Sequence, residues 1–182
     1  MPEEVARTYF HMLVDAVGHM HSLGIYHLDI KPRNILLNGS LQIKLGDFGF
    51  SSRNKNSTAL LGTVGFAAPE IHSRSIYDCE LVDVYACGVV LFASVFGKLP
   101  FESSNPKIIM QELFLYERDC FWLMFAEKAV SDELKSLLEW MLSQDCKNRP
   151  SIEQLKTHPW FLQDVLMMDE IISLLSPQTK LI

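Results

Sequence analysis

The stretch His27-Leu28-Asp29-Ile30-Lys31-Pro32-Arg33-Asn34 decides how the rest of the chain is read. It places a carboxylate, an amine and a carboxamide close together, and Pro32 bars the stretch from a helix interior or a central strand. A loop can turn side chains two and three residues apart toward one point, whereas a helix or strand would point some of them away. Asp29 can take a proton from a hydroxyl, Lys31 can contact a transferring phosphate, and Asn34 can offer an oxygen to Mg²⁺. Phosphoryl transfer needs these three services. A solvated polar turn would use the same residue types, so the neighbouring sequence must decide.

Upstream, Val5, Tyr9, Leu13, Ala16, Val17 and Met20 recur at three- and four-residue steps. This spacing predicts an amphipathic helix over residues 3–23, stopped by Gly24. Downstream, Ile35-Leu36-Leu37 and Leu41-Gln42-Ile43-Lys44-Leu45 flank Asn38-Gly39 and predict a small hairpin around a tight turn with positive φ. Asp47-Phe48-Gly49 follows at once, and a carboxylate there can hold a Mg²⁺ that bridges phosphates. Residues 46–70 have no lasting period and read as a long functional loop ending in Gly62-Thr63-Val64-Gly65-Phe66-Ala67-Ala68-Pro69-Glu70. Ala-Pro-Glu opens a helical region. Residues 82–96 are apolar nearly all round and predict a central buried helix. Residues 106–118, 131–143 and 151–157 read as amphipathic segments, and 162–175 is rich in Leu, Ile, Val and Met.

In this order, the three motifs resemble the signature set of the protein kinases: catalytic loop, Asp-Phe-Gly, Ala-Pro-Glu. Asp83-Val84-Tyr85-Ala86-Cys87-Gly88 is similar to the start of that family's central helix, whose Asp braces the catalytic loop backbone. Gly97-Lys98-Leu99-Pro100-Phe101 matches its exit. Arg149 in Asn-Arg-Pro-Ser matches the Arg that pairs with the Glu of Ala-Pro-Glu, here Glu70. His158-Pro159-Trp160-Phe161 resembles the closing motif of the calcium/calmodulin-dependent-kinase-like group.

The resemblance implies a fold: a protein kinase-like large lobe, mainly α-helical, with a short β-hairpin beside the catalytic loop and the small β-rich lobe absent. It divides the chain into a partial kinase catalytic domain at 1–161 and an amphipathic tail at 162–182. It also implies ATP and Mg²⁺ as cofactors. Asp29 would be the base, with Lys31 on the phosphate and Asn34 and Asp47 on the metal. Thr63 would shape the acceptor site and Leu36 would form the floor under adenine. His27 and Phe48 resemble residues stacked between the lobes. Lys31, two residues after the base, points to serine and threonine hydroxyls of proteins as acceptors.

Three departures matter. Leu28 stands where the family usually has Arg, and Ala59 stands where the loop phosphate is usually carried, four residues before Thr63. Both partners of the common phosphate switch are missing together, so activation is expected not to need a phosphate there; Ser57 and Thr58 remain as phosphorylatable neighbours. Arg33 replaces a frequent Glu that reads Arg in substrates, which removes the expectation of a basic-substrate preference. No Gly-rich phosphate loop, no lysine-bearing strand and no partner helix precede residue 3, so these residues on their own are expected to be weakly active or inactive. A missing upper lobe, or another protein, would cover the exposed cleft.

Composition narrows the classes further. A net charge of -6 excludes nucleic acid as a main partner, because phosphate backbones need clustered Lys and Arg. The cysteines form no C-x-x-C pair and read as reduced thiols in an intracellular, cytoplasmic protein. The apolar run Val84–Gly97 is too short to span a bilayer. The tail carries Asp164, Asp169 and Glu170 but no Lys or Arg over 162–176, which speaks against calmodulin, whose targets are basic. His19 and His21 point to different helix faces and do not make a metal pair. A non-catalytic docking module, or a fragment with no role of its own, is the alternative to an enzyme.

Overall fold

A computed structural model describes residues 1–73, 75–101 and 109–175. Helix α1 spans Glu3–Ser22, with Glu3 and Glu4 complementing the positive end of its dipole. It closes as the spacing predicts: Gly24 sits at φ 66, where a Cβ would be strained, and the N–H groups of Gly24 and Ile25 bond back to His21 and Met20. The buried stripe is centred on Val5, Phe10, Leu13, Val14 and Val17. Tyr9 and Ala16, expected inside, are only half-buried. Arg7 and Thr8 are buried instead, because the tail crosses that side of the helix.

Strands β1 (Ile35–Leu37) and β2 (Ile43–Leu45) pair antiparallel, Leu36 opposite Lys44. The turn differs from the expected Asn-Gly geometry. Positive φ falls on Leu41, not on Gly39, and β2 begins two residues late. The Asn38 side-chain oxygen accepts from Ser40 and Gln42 N–H, so a side chain takes over the pairing that a shorter turn would give to backbone. A second ladder, β3 (Asn56–Ser57) with β4 (Tyr77–Asp78), was not expected. Two-residue strands carry no readable period. Ala-Pro-Glu opens a single 3₁₀ turn, Pro69–Ser73, rather than an α-helix.

Helix α2 runs Cys79–Phe96, three residues longer at its start than expected, because the Asp78 carboxylate caps the Glu80 N–H. At that length it is long and apolar enough to cross a membrane, which corrects the shorter estimate, yet 72% of it is buried inside the fold. It is the core of the molecule. Tyr85, Leu91 and Phe92 are fully enclosed, each worth roughly 1.5–3 kcal/mol of burial. The amphipathic segment expected at 106–118 has its first three residues outside the described ones. The rest splits at Glu117 into α3 (Ile109–Tyr116) and α4 (Arg118–Leu123). Helix α5 (Asp132–Met141) is capped by Ser131, and α6 (Ile152–Leu155) carries a Ser151/Gln154 capping box. In the tail only α7 (Met168–Leu175) is helical, with Ile171 turned inward.

Candidate active site

The loop between α1 and β1 is shaped by one buried carboxylate. Asp83, on the first turns of α2 and fully enclosed, accepts from the His27 N–H at 2.8 Å and the Leu28 N–H at 2.8 Å. His21 Nε2 adds a third contact at 2.9 Å. Hydrogen bonds to a buried charge are the stronger kind. They hold Leu28 at φ 65, a left-handed backbone that a leucine rarely adopts. That reversal sends the Leu28 side chain into the core, 3% exposed, and sends the next residue, Asp29, outward to the site.

Asp29 is itself only 5% exposed. Its carboxylate accepts from Lys31 Nζ at 2.6 Å and from the Thr63 hydroxyl at 2.7 Å. Lys31 Nζ also donates to Thr63 Oγ1 at 2.7 Å, closing a triangle across 34 residues of sequence. Asn34 Nδ2 donates to the Asp29 carbonyl at 2.9 Å and, more loosely, to its carboxylate. Four residues named from the sequence thus meet in one cluster: Asp29, Lys31, Asn34 and Thr63. The arrangement can hold a hydroxyl beside a carboxylate and an anion beside the ammonium group.

Among the described residues, Asp47 and Leu36 make no hydrogen bond to this cluster and connect to it through Gly46. Asp47 sits at φ 57, exposed, its Oδ1 accepting from Gly49 N–H. Gly46 is the connector: its N–H donates to Asn34 carbonyl at 2.9 Å, and its carbonyl contacts His27 Nε2 at 3.0 Å. The His27 and Phe48 rings lie 5.0 Å apart, the neighbourhood expected of them. Leu36 is 55% exposed, and its Cδ1 lies against Gly46, where an added Cβ would sit at 3.3 Å.

The donor set fits Mg²⁺ in one particular way. Asn34 commits its amide nitrogen to Asp29, so its oxygen is the atom left for a cation, and the Asp47 carboxylate is exposed. Among the described residues no group of three or more His, Cys, Asp or Glu could cage a metal. One carboxylate and one carboxamide suit an ion that completes its shell with water and phosphate oxygens.

Behind the site, Arg149 and Glu70 form a bidentate pair, Nη2 to Oε2 at 2.7 Å, as expected from their motifs. The Arg149 guanidinium also lies over the Tyr85 ring and donates to the Ser143 carbonyl. Two participants escaped the sequence reading. The sequence reading of His21 excludes only a metal pair with His19, and its carboxylate partner, Asp83, lies 62 residues away. Tyr77, whose hydroxyl reaches the Ala59 carbonyl at 2.6 Å, sits in a segment expected to be helical.

The family described as the protein kinase domain matches residues 1–161 of this chain. CBL-interacting protein kinase 26 of Oryza sativa subsp. japonica is 39% identical over 165 residues, which cover 87% of the chain and 32% of that protein. CBL-interacting serine/threonine-protein kinase 14 of Arabidopsis thaliana is 34% identical over 167 residues, covering 88% of the chain and 36% of that protein. The chain therefore spans about a third of the length of these curated relatives.

Proposed function

This chain belongs to the protein kinase domain family, and from that premise we propose that it is the large catalytic lobe of a protein serine/threonine kinase. The observation that carries the reading is the closed Asp29–Lys31–Thr63 triangle with Asn34 beneath it. Asp29 Oδ1, now bonded to Thr63, orients the acceptor hydroxyl and takes its proton. Lys31 offsets the charge of the phosphoryl group, and Thr63 confines the acceptor between the two. Mg²⁺, when bound by Asn34 and Asp47, neutralises the phosphate oxygens of ATP. Leu36, exposed beside Gly46, is the floor for adenine. In this reaction positioning and electrostatics supply nearly all the rate, and the cluster supplies both.

Leu28, buried and without a charge, and Ala59 leave the common loop-phosphate pair without either partner, so activity is independent of a phosphate at residue 59. Exposed Arg33 beside the site disfavours arginine-rich acceptors. These 182 residues on their own are expected to be slow, because the face bearing Leu36 and Phe48 is open to solvent and needs a covering wall. The names of the relatives, which describe them as CBL-interacting, extend the reading to a CBL partner. We place the chain near the calcium/calmodulin-dependent-kinase-like group on its His158-Pro159-Trp160-Phe161 motif, in the cytoplasm on its reduced cysteines.

The test is acceptor choice. The full-length protein carrying this lobe, given Mg²⁺-ATP and matched peptides bearing Ser, Thr or Tyr, should label Ser and Thr and leave Tyr blank. Labelling of Tyr alone, or of no peptide, overturns the reading.

A further inference from the structure

Ala59 is exposed, yet both of its backbone groups are held. Its N–H donates to Ser57 Oγ at 3.1 Å. Its carbonyl accepts from the Leu61 N–H at 3.1 Å and from the Tyr77 hydroxyl at 2.6 Å. The Tyr77 ring is 3% exposed and belongs to the same core as α2. Burial raises its phenol above the usual range, and a phenol is protonated and able to donate at physiological pH even without that shift.

Beyond Ala59 the chain has little freedom before it reaches the site. Gly62, at φ 99, passes so close to the Leu28 carbonyl that an added Cβ would lie 3.3 Å from it. Thr63 then delivers its hydroxyl to Asp29 and Lys31. A second tie secures the same edge: the Cys79 N–H donates to the Lys55 carbonyl at 2.8 Å, and Lys55 Nζ pairs with Glu80 at 2.9 Å.

We propose that Tyr77 is a positioning residue, its phenol fixing the Ala59 carbonyl so that residues 59–63 present Thr63 to Asp29 and Lys31. The contact needs no charge and no modification. It acts where a loop phosphate would act in kinases that carry the Arg this chain replaces with Leu28. This inference rests on the kinase reading for its catalytic consequence but not for the anchor itself.

The experiment is Tyr77→Phe, which keeps the ring and removes one oxygen. Amide exchange without nucleotide should quicken by on the order of tenfold at Leu61, and at Phe66 and Ala67, whose N–H groups bond to Thr63. The Asp29 carboxyl ¹³C resonance should shift as the Thr63 hydroxyl loses its place. Exchange at Leu91 in α2 should not change. Lys55→Ala, which removes the ion pair and keeps the phenol, should leave Leu61 exchange within about twofold. In the full-length protein, Tyr77→Phe should lower kcat and leave the KM for ATP unchanged. Unchanged exchange at Leu61 in Tyr77→Phe overturns the proposal, as does an equal effect from Lys55→Ala. If wild-type protein transfers no phosphate, the kinase reading fails and the exchange data still decide the anchor.

Discussion

Leu28 carries a backbone conformation that costs a non-glycine residue of order 1–3 kcal/mol, and it is held by neighbours rather than by its own preference. Asp83 is the main one, with two backbone N–H groups and His21 on its oxygens. Asp83→Asn keeps the size but puts an amide nitrogen where an acceptor is needed. It should cost about 3 kcal/mol or more in a urea titration, since two backbone bonds to a buried charge are disturbed. A loss under about 1 kcal/mol would mean that the loop is set elsewhere. Asp29, Lys31 and Asn34 were legible in the sequence because they lie within one loop and their residue types match one chemistry, whereas Thr63, 34 residues on, followed only from the family resemblance. His21 was not, since nothing local marks a partner on a distant helix.

At the scale of elements, α2 is packed tightly enough to be tested directly. A Cβ added at Gly88 would meet Met141 Cβ at 2.9 Å and Leu142 Cδ2 at 3.1 Å, where α5 crosses. Met141 Cβ cannot swing away. Gly88→Ala should therefore destabilise by about 1–3 kcal/mol despite alanine's better helix propensity, read as a lower thermal midpoint. Glu3 makes a second test. Burial pushes its carboxyl up, but the bonds from Ser131 and Trp160, with Arg7 nearby, outweigh burial and hold it below its ordinary value of 4.5. A carboxyl lowered by folding adds stability that is present above its unfolded pKa and lost as pH falls through the folded one. Glu3→Gln should flatten the part of the acid limb that lies below about pH 4.5. Helices were readable where a period ran for several turns, as in α1 and α5, or where a long run was apolar nearly all round, as in α2. The β3–β4 ladder and the split at Glu117 were not, because two-residue strands and a single φ of −138° leave no periodic trace.

At the scale of the whole molecule, the Arg149–Glu70 pair ties the 3₁₀ turn after the loop to the segment entering α6. Arg149 is 4% exposed, so Glu70→Ala leaves a buried guanidinium without its main partner and should cost about 3–5 kcal/mol. Equal stability of wild type and Glu70→Ala would show that the Ser143 and Leu81 carbonyls and Tyr85 suffice. The face bearing Leu36, Phe48 and Phe50 remains apolar and open, each residue being 46–55% exposed. The central claim is that the triangle behind that face transfers phosphate through Asp29. Its most direct test is Mg²⁺-ATP phosphoryl transfer to a serine peptide by the full-length protein, wild type beside Asp29→Asn. A carboxamide keeps the shape and cannot take the proton, so the rate should fall by at least about 10²-fold. Equal rates from the two proteins would contradict the account.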